Sequence, residues 1–430
     1  MGAKTWVALG LLMVVTVSIV ALMQSFKYTE RTGIHSAAVG GSGAMKSEQD
    51  LLHSVRRLAN AIKIIDGEIE HLSDRIAFAE DNVIAEKEGQ PEIAPPPRQV
   101  YPSSDEHGDS IFVSIASFRD EECGPMIKDM YAQAENPKNI HIGIVEQHAD
   151  NDPPCLREEF RRPCQHDVFC PTDNIRIRKI KPHEAKGPTF GRYVSMHLYR
   201  GQRYLLMMDS HNRFVPHWDT KLIKMHKSLN DKKAVLTHYP EAWRSDGDPL
   251  VRSTTSHLCR ASYLHDYLKF EAVLVSAQEK PMPQPYSAAG FLFADATLIH
   301  EVPLDPHLPF LFDGEEVLYT VRMWTSGWNL YSPNSNIVFH FYGRPSAPKI
   351  WSEPGVQWGL LQQQSQRRVK YFLRSTNTQG VLLVPPNTTE KAIIIDEDRY
   401  GLGSARSLQD YYDYAGIDPI ARKFKKNWCV

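Results

Sequence analysis

The clearest hydrophobic pattern in the chain is a heptad repeat within residues 47–88. Apolar side chains recur there at alternating steps of four and three residues, which is typical of a coiled coil. One series of core positions is entirely β-branched: Val55, Ile62, Ile69, Ile76 and Val83. Because the other series is mostly leucine, the pattern favours a parallel two-stranded coil and predicts a homodimer. A single amphipathic helix packed on the rest of the chain is the alternative.

The segments on either side of this predicted stalk differ from it in composition. Residues 5–23 carry no charged side chain, and their length suits a helix that spans a bilayer. We predict a signal anchor with residues 1–4 as its cytoplasmic tail; a cleaved signal peptide is the alternative, although no small-residue cleavage site follows. Residues 24–46 predict a flexible spacer and the proline-rich residues 89–109 a stiff linker. We expect residues 110–430 in the lumen of the Golgi or the endoplasmic reticulum.

Short apolar runs alternate with helical stretches throughout residues 110–430. The predicted strands lie at residues 111–116, 140–145, 175–180, 204–208, 287–293 and 337–339. Helices are expected at 125–134, after the stretch 186–192 and ending near Arg200, and from 313 to 324. Strands that alternate with helices indicate an α/β fold with one sheet flanked by helices.

An acidic motif follows the apolar run at 204–208. Asp209 and His211, separated by Ser210, fall on one side of an extended chain because side chains alternate with period two. Ligands bind at the carboxyl ends of strands in such sheets. The motif therefore suggests a divalent metal site placed for a phosphorylated ligand. The alternative for Asp209 alone is a turn or helix-cap residue.

Other polar residues are expected at the same edge of the sheet. Ser117, Arg119 and Asp120 follow the first predicted strand, and Glu146 follows the second. The chain has neither a Gly-x-Gly-x-x-Gly motif nor a Walker loop to hold phosphates. If a nucleotide binds, its diphosphate would then be neutralised by a metal ion.

The second half of the chain offers partners for this motif. His340 ends a predicted strand, and at the same sheet edge it could complete a three-ligand metal site with Asp209 and His211. Asp313, Glu315 and Glu316 open a predicted helix and are further candidate partners of the motif. Their alternative role is to cap that helix, with Asp313 as the cap and Glu316 closing a capping box.

Charge and cysteine content narrow the class of protein. The net charge is −2, so nothing indicates a nucleic-acid partner. The six cysteines, all after residue 120, fit disulfides in a luminal domain. Their spacings lack a Cys-x-x-Cys pair, which argues against structural zinc. Asn387, in the sequence Asn-Thr-Thr, is an acceptor site for N-glycosylation.

Several stretches of residues 111–428 together resemble one enzyme family. These are Ser114–Asp120, Lys186–Thr189 with Arg192, Leu206–His211, Phe312–Glu316 with Arg322, His340, and Tyr400–Gly403 with Arg406. They resemble glycosyltransferase family 60 (GT60), the polypeptide α-N-acetylglucosaminyltransferases that include the Skp1-modifying enzyme. No single stretch is specific, but the combination is.

The resemblance implies a GT-A fold and a retaining transfer of GlcNAc from UDP-GlcNAc to a hydroxyl of a protein, on Thr, Ser or hydroxyproline. It implies a bound Mn²⁺ or Mg²⁺, and the two imidazoles favour Mn²⁺. We assign Asp209, His211 and His340 to the metal and Asp313, Glu315 and Glu316 to catalysis. The residues assigned to the donor are Ser117, Arg119, Asp120, Glu146, Arg192 and Ser210. The alternatives are a GalNAc or other UDP-sugar donor, and a non-catalytic, lectin-like dimeric receptor.

Overall fold

The computed structural model describes residues 108–157 and 170–429, apart from residues 246, 249, 251, 265, 345, 346 and 354–357. They all belong to one unit of the chain, Gln90–Val430. The predicted tail, anchor, spacer and stalk (1–4, 5–23, 24–46 and 47–88) and nearly all of the linker (89–109) lie outside the described residues. Within the described residues, no helix combines the length and apolar character that a membrane span needs.

Most of the predicted strands are present, several with bounds close to those expected. The strands are, in chain order, β1 (Ile111–Phe118), β2 (Ile140–Gln147), β3 (Ile175–Lys179), β4 (Tyr204–Met208), β5 (Asn212–Phe214), β6 (Ala234–Thr237), β7 (Thr254–Leu264), β8 (Tyr267–Ser276), β9 (Met282–Pro283), β10 (Phe291–Asp295), β11 (Asn329–Ser332), β12 (Val338–His340), β13 (Ile417–Asp418) and β14 (Lys423–Phe424). The strand predicted at 204–208 has the bounds of β4.

Helices connect and cover these strands. The α-helices of the described residues are α1 (Cys123–Gln133), α2 (Pro188–Met196), α3 (Trp218–Lys227), α4 (Leu298–Glu301), α5 (Glu315–Thr325), α6 (Gly359–Phe372), α7 (Lys391–Ile394), α8 (Glu397–Tyr400) and α9 (Leu408–Ala415). Short 3₁₀ turns lie at Pro137–Asn139, Pro171–Asn174, Pro182–Glu184 and Ile350–Ser352.

One mixed sheet forms the centre of the fold. Its eight strands follow the order β3-β2-β1-β4-β10-β6-β11-β9. β1 to β4 pair in parallel within it, whereas β10 runs antiparallel to both β4 and β6. The predicted α/β fold is therefore confirmed; its main sheet is mixed, and smaller two-stranded sheets accompany it.

The middle of the sheet is buried on both faces, as its apolar strands predict. In β4, Leu206 and Met208 pack into one hydrophobic cluster and Leu205 and Met207 into another. The first cluster includes side chains of α1 and α3, and the second includes side chains of α2 and α5. This alternation between two covered faces leaves the ends of the strands as the places where polar side chains collect.

Disulfides connect the elements around the sheet, as the even cysteine count predicted. Cys123 at the start of α1 bonds to Cys155, and Cys259 in β7 bonds to Cys429. Cys170 is disulfide-bonded as well. These five cysteines are therefore not available as zinc ligands.

Candidate functional site

The end of β4 places Asp209 in the wall of a cavity of about 680 Å³. Because β10 is antiparallel to β4, the start of β10 and not its end lies beside this residue. The backbone N–H of Asp209 donates to the carbonyl of Gly290 at 3.3 Å. A Cβ atom at position 290 would lie 2.8 Å from Asp209 Oδ2. Glycine at this position therefore leaves room for the carboxylate.

His340 reaches Asp209 from a separate sheet. We expected His340 at the edge of the main sheet, and this expectation is wrong, because β12 pairs antiparallel with β5 in a two-stranded sheet. β5 begins directly after His211, so this pairing carries His340 to the acidic motif. His340 Nε2 lies 3.2 Å from Asp209 Oδ2, and the rings of His211 and His340 lie edge to face with centroids 4.4 Å apart.

Asp209, His211 and His340 form a group that can hold a metal ion. One ligand atom from each lies within 4.8 Å of the other two. His211 Nδ1 donates to Asp120 Oδ2 at 2.7 Å, so Nε2 is the ring nitrogen that carries the lone pair a metal ion would use. A carboxylate behind a metal-binding imidazole fixes its tautomer and its orientation. One carboxylate and two imidazoles therefore fit a divalent ion such as Mn²⁺.

Asp120 is a support for this group and is almost fully buried. Its carboxylate accepts hydrogen bonds from the hydroxyl of Ser210 at 2.5 Å and from His211, and only 3% of the residue is exposed. Both Asp120 and Ser210 line the cavity. We assigned both residues to the donor. In the structure, the Asp120 carboxylate instead accepts hydrogen bonds from Ser210 and His211.

The surroundings of the group keep the Asp209 carboxylate charged and the His211 imidazole neutral. Burial alone would raise the pKa of Asp209, but the hydrogen bond with His340 and the charge of Arg192 hold it well below its usual range. Burial lowers the pKa of His211, an effect larger than the opposing one of the Asp120 hydrogen bond. A charged carboxylate and a neutral imidazole are the protonation states that a metal ion requires of its ligands.

Arg192 connects the metal group to the carboxylates of α5. Its Nη2 donates to Asp209 Oδ1 at 2.9 Å and its Nη1 to Glu315 Oε1 at 3.0 Å. α2, which carries Arg192, begins after Gly187, whose φ of 93° lies in the region that favours glycine. The planar guanidinium can reach two carboxylates at once, so Arg192 fixes the distance between Asp209 of the metal group and Glu315 of α5.

Glu315 and Glu316 lie in the first turn of α5, side by side at the cavity. Thr189 donates to Glu315 Oε2 at 3.0 Å. Glu316 accepts from the backbone N–H of Ala289 at 2.8 Å and from the hydroxyl of Tyr239. The alternative that Asp313 caps this helix is wrong, because the N-cap is Gly314 and no side chain caps it. Asp313 is exposed and lines the cavity without bonding to the helix start.

Glu315 should make the stability of the protein depend on pH. Burial raises the pKa of Glu315 to about 7, from an ordinary value of 4.5. Between pH 4.5 and 7 the folded state therefore keeps a proton on Glu315 that the unfolded state has lost. The contribution of Glu315 to the free energy of unfolding declines as pH rises through this range. Each unit of the shift corresponds to about 1.4 kcal/mol. We expect Glu315→Gln to reduce this decline in urea unfolding at a series of pH values. Identical pH profiles for the variant and the wild type would contradict this prediction.

Three of the assigned donor residues do not line the cavity. Ser117 is fully buried, and its hydroxyl contacts His148 Nε2 at 2.9 Å. Arg119 pairs with Asp152 at 2.9 Å and with Glu353 at 3.1 Å. Glu146 accepts from the backbone of Cys155 at 2.8 Å. The structure therefore brings Asp120, Arg192 and Ser210 to the metal group, and Ser117, Arg119 and Glu146 to neighbouring structural contacts.

A second group of potential ligands lies next to these residues. Glu146, His148 and Cys155 have donor atoms within 4.8 Å of one another. The sulfur of Cys155 is bonded to Cys123, however, and metal binding requires a thiolate. This group therefore offers only two ligands.

Two residues of the site were missed in the sequence. Tyr239 follows β6 and bonds to Glu316, and Arg344 bonds to His211. Tyr239 lies two residues after the end of β6, a strand that was not predicted, and Arg344 lies four residues after His340. Neither has a motif of its own, and for Arg344 the only available signal was its position after a predicted strand.

Asn387, the predicted N-glycosylation site, lies at the surface. It is exposed in a turn after Pro385 and Pro386. An exposed turn is accessible to modification; N-glycosylation of this residue stays a prediction.

Comparisons with known proteins identify the family. The solved structure of GalNAc-T7 with UDP, GalNAc and Mn²⁺ is similar at 13% identity and a TM-score of 0.48, covering 71% of this chain and 56% of that one. S. aureus TarS 1-349 in complex with UDP-GlcNAc is similar at 12% identity and a TM-score of 0.37, covering 57% of this chain and 61% of that one. The chain thus spans less than two thirds of the length of either. No curated protein matches the chain.

A model of the family described as Glycosyltransferase (GlcNAc) matches residues 110–167 and 159–421. Because this match covers well over half of the sequence, the chain belongs to the Glycosyltransferase (GlcNAc) family.

Proposed function

We propose that this protein is a metal-dependent GT-A glycosyltransferase that transfers GlcNAc from UDP-GlcNAc to a hydroxyl of a protein, with retention at the anomeric carbon. The acceptor hydroxyl belongs to Thr, Ser or hydroxyproline, as in glycosyltransferase family 60. One observation carries the proposal: the ligand atoms of Asp209, His211 and His340 lie within 4.8 Å of one another, in the wall of a cavity of about 680 Å³. A cavity of this size is suited to a ligand as large as a nucleotide sugar.

The metal group is suited to the leaving group of such a transfer. A divalent cation held by Asp209, His211 and His340 would supply Lewis-acid stabilisation of the negative charge that develops on the leaving UDP. Asp120 would keep Nε2 of His211 directed at the cation through the 2.7 Å hydrogen bond to Nδ1. Arg192 would keep Asp209 charged and in place, since its guanidinium donates to Oδ1 at 2.9 Å.

The carboxylates of α5 are suited to the sugar and the acceptor. Tyr239 and the backbone of Ala289 orient Glu316, and Arg192 with Thr189 orients Glu315. Carboxylates held in this way can accept hydrogen bonds from sugar hydroxyls or from the acceptor hydroxyl. Asp313 is exposed beside them and can contact a ligand that enters the cavity.

The proposal includes a cellular setting, which rests on the sequence pattern alone. The anchor at residues 5–23 would hold the enzyme as a single-pass type II protein of the Golgi or endoplasmic reticulum membrane. The coiled coil at residues 47–88 would pair two chains in parallel. The acceptors would then be proteins of the secretory pathway.

A donor and acceptor panel tests this function. Purified full-length protein is incubated with UDP-GlcNAc, UDP-GalNAc, UDP-glucose or GDP-mannose and with peptides that carry Thr, Ser or hydroxyproline. We expect transfer from UDP-GlcNAc in the presence of Mn²⁺, loss of transfer with EDTA, and an α-linkage by NMR. Transfer from UDP-GalNAc alone would favour the alternative donor. Full activity in EDTA, or transfer from GDP-mannose alone, would contradict the proposal.

A further inference from the structure

The guanidinium of Arg344 contacts the nitrogen of His211 that a metal ion would use. Arg344 Nη2 donates to His211 Nε2 at 2.9 Å. Because the other ring nitrogen of His211 is engaged by Asp120 at 2.7 Å, Nε2 is the atom that remains for coordination. The lone pair on Nε2 can accept a hydrogen bond or coordinate an ion, but it cannot do both.

Asp120 holds the guanidinium in this position. Arg344 Nη1 lies 3.1 Å from Asp120 Oδ1, and the same carboxylate accepts from His211 and Ser210 through Oδ2. The charge of Asp120 is thus shared by His211 and Arg344. Asp120, His211 and Arg344 thus each contact the other two, and His211 is one of the three proposed metal ligands.

We infer that Arg344 is an internal cation that competes with the divalent ion for His211, so that binding of the ion requires the guanidinium to leave. This inference rests on the proposed metal site. The ion and the guanidinium cannot occupy the same position on Nε2, and as like charges a few ångströms apart they repel each other. Arg344 therefore lowers the affinity of the site for metal.

The contact is built so that it can be released. Arg344 Nε is buried and has no hydrogen-bond partner among the described residues, and a buried donor without a partner is unfavourable. The backbone of Arg344 is anchored separately, since its N–H donates to the carbonyl of Tyr342 at 3.0 Å. The side chain, 20% exposed, can leave His211 without displacing the turn that carries it.

Direct measurement of Mn²⁺ binding tests the inference without relying on activity. Purified full-length wild type, Arg344→Met and Lys349→Met are titrated with Mn²⁺ in the absence of nucleotide, by isothermal titration calorimetry and by the EPR signal of free Mn²⁺. Lys349 is the matched control, because it is a cationic residue of the same segment that also lines the cavity. We expect Arg344→Met to bind Mn²⁺ about tenfold more tightly, a change of about 1.4 kcal/mol, and Lys349→Met to change the affinity less than threefold.

A second variant guards against a folding defect. Arg344→Lys keeps the charge but removes the planar fork, so its affinity should fall between those of the wild type and Arg344→Met, with thermal unfolding of each protein recorded alongside. Equal or weaker binding by folded Arg344→Met overturns the inference, as does an equal gain in Lys349→Met, which would indicate a general charge effect. If Mn²⁺ binds neither the wild type nor Arg344→Met, the proposed metal site is wrong and the inference falls with it.

Discussion

Asp209→Ala should lose metal-dependent transfer almost completely, by about 1,000-fold or more, which corresponds to about 4 kcal/mol in the barrier. Asp209 is the only carboxylate among the three proposed ligands, so the variant leaves only two imidazoles to hold a divalent cation. Its carboxylate also faces both His340 at 3.2 Å and Arg192 at 2.9 Å. The loss should therefore appear both in turnover and in Mn²⁺ affinity.

The experiment separates a metal role from a merely structural one. Initial rates with UDP-GlcNAc are measured over a range of Mn²⁺ concentrations, together with Mn²⁺ binding and thermal unfolding. Asp150→Ala is a suitable control, since the side chain of Asp150 is 91% exposed and pairs with Lys181 away from the cavity. Wild-type turnover by folded Asp209→Ala would disprove the metal assignment.

Arg192→Met should be the most destabilising change in the site. Arg192 is the cation between Asp209 and Glu315, and its own side chain is 8% exposed. Removing one partner of a buried ion pair leaves the other charge uncompensated, at a cost of about 3–5 kcal/mol. Since burial raises the pKa of Glu315 to about 7, that residue can take up a proton at low pH. The loss of stability should consequently be larger at pH 8 than at pH 5.

Urea unfolding at both pH values measures this effect. Lys227→Met is the control, because Lys227 forms an exposed ion pair with Asp109 and such pairs contribute less than about 1 kcal/mol. Addition of Mn²⁺ should restore part of the stability of Arg192→Met, because a bound cation compensates Asp209. A loss below 1 kcal/mol at pH 8, or one that does not depend on pH, would show that the two carboxylates do not rely on Arg192.

Local features of the site were predictable from sequence, and its long-range pairings were not. The bounds of β4 and the position of Asp209 at its end follow from one apolar run that stops abruptly. Which residues contact the end of β4 depends on the order of strands in the sheet. β1 pairs with β4, and this pairing brings Asp120 behind His211; no pattern in either strand indicates which neighbour it will have.

His340 illustrates the same limit. It was predicted at the edge of the main sheet from its position at the end of an apolar strand, but it lies beside Asp209 because β12 pairs with β5 and not with the main sheet. Ser117, Arg119 and Glu146 follow predicted strands in the same way, and their side chains turn to other partners. A polar residue at a strand end is thus a candidate for the site, and the packing of neighbouring loops decides whether it faces the cavity.

The antiparallel insertion of β10 beside β4 also bears on how the protein folds. Met208 of β4 pairs with Phe291 of β10, and the chain between them forms several other elements, including the β7–β8 hairpin. Pairings between distant parts of a chain form slowly, because the entropy of closing a long loop opposes them. Gly290, which leaves room for the Asp209 carboxylate, arrives only with this pairing. We therefore expect affinity at the proposed metal site to be acquired late in refolding, so that Mn²⁺ binding would report completion of the sheet.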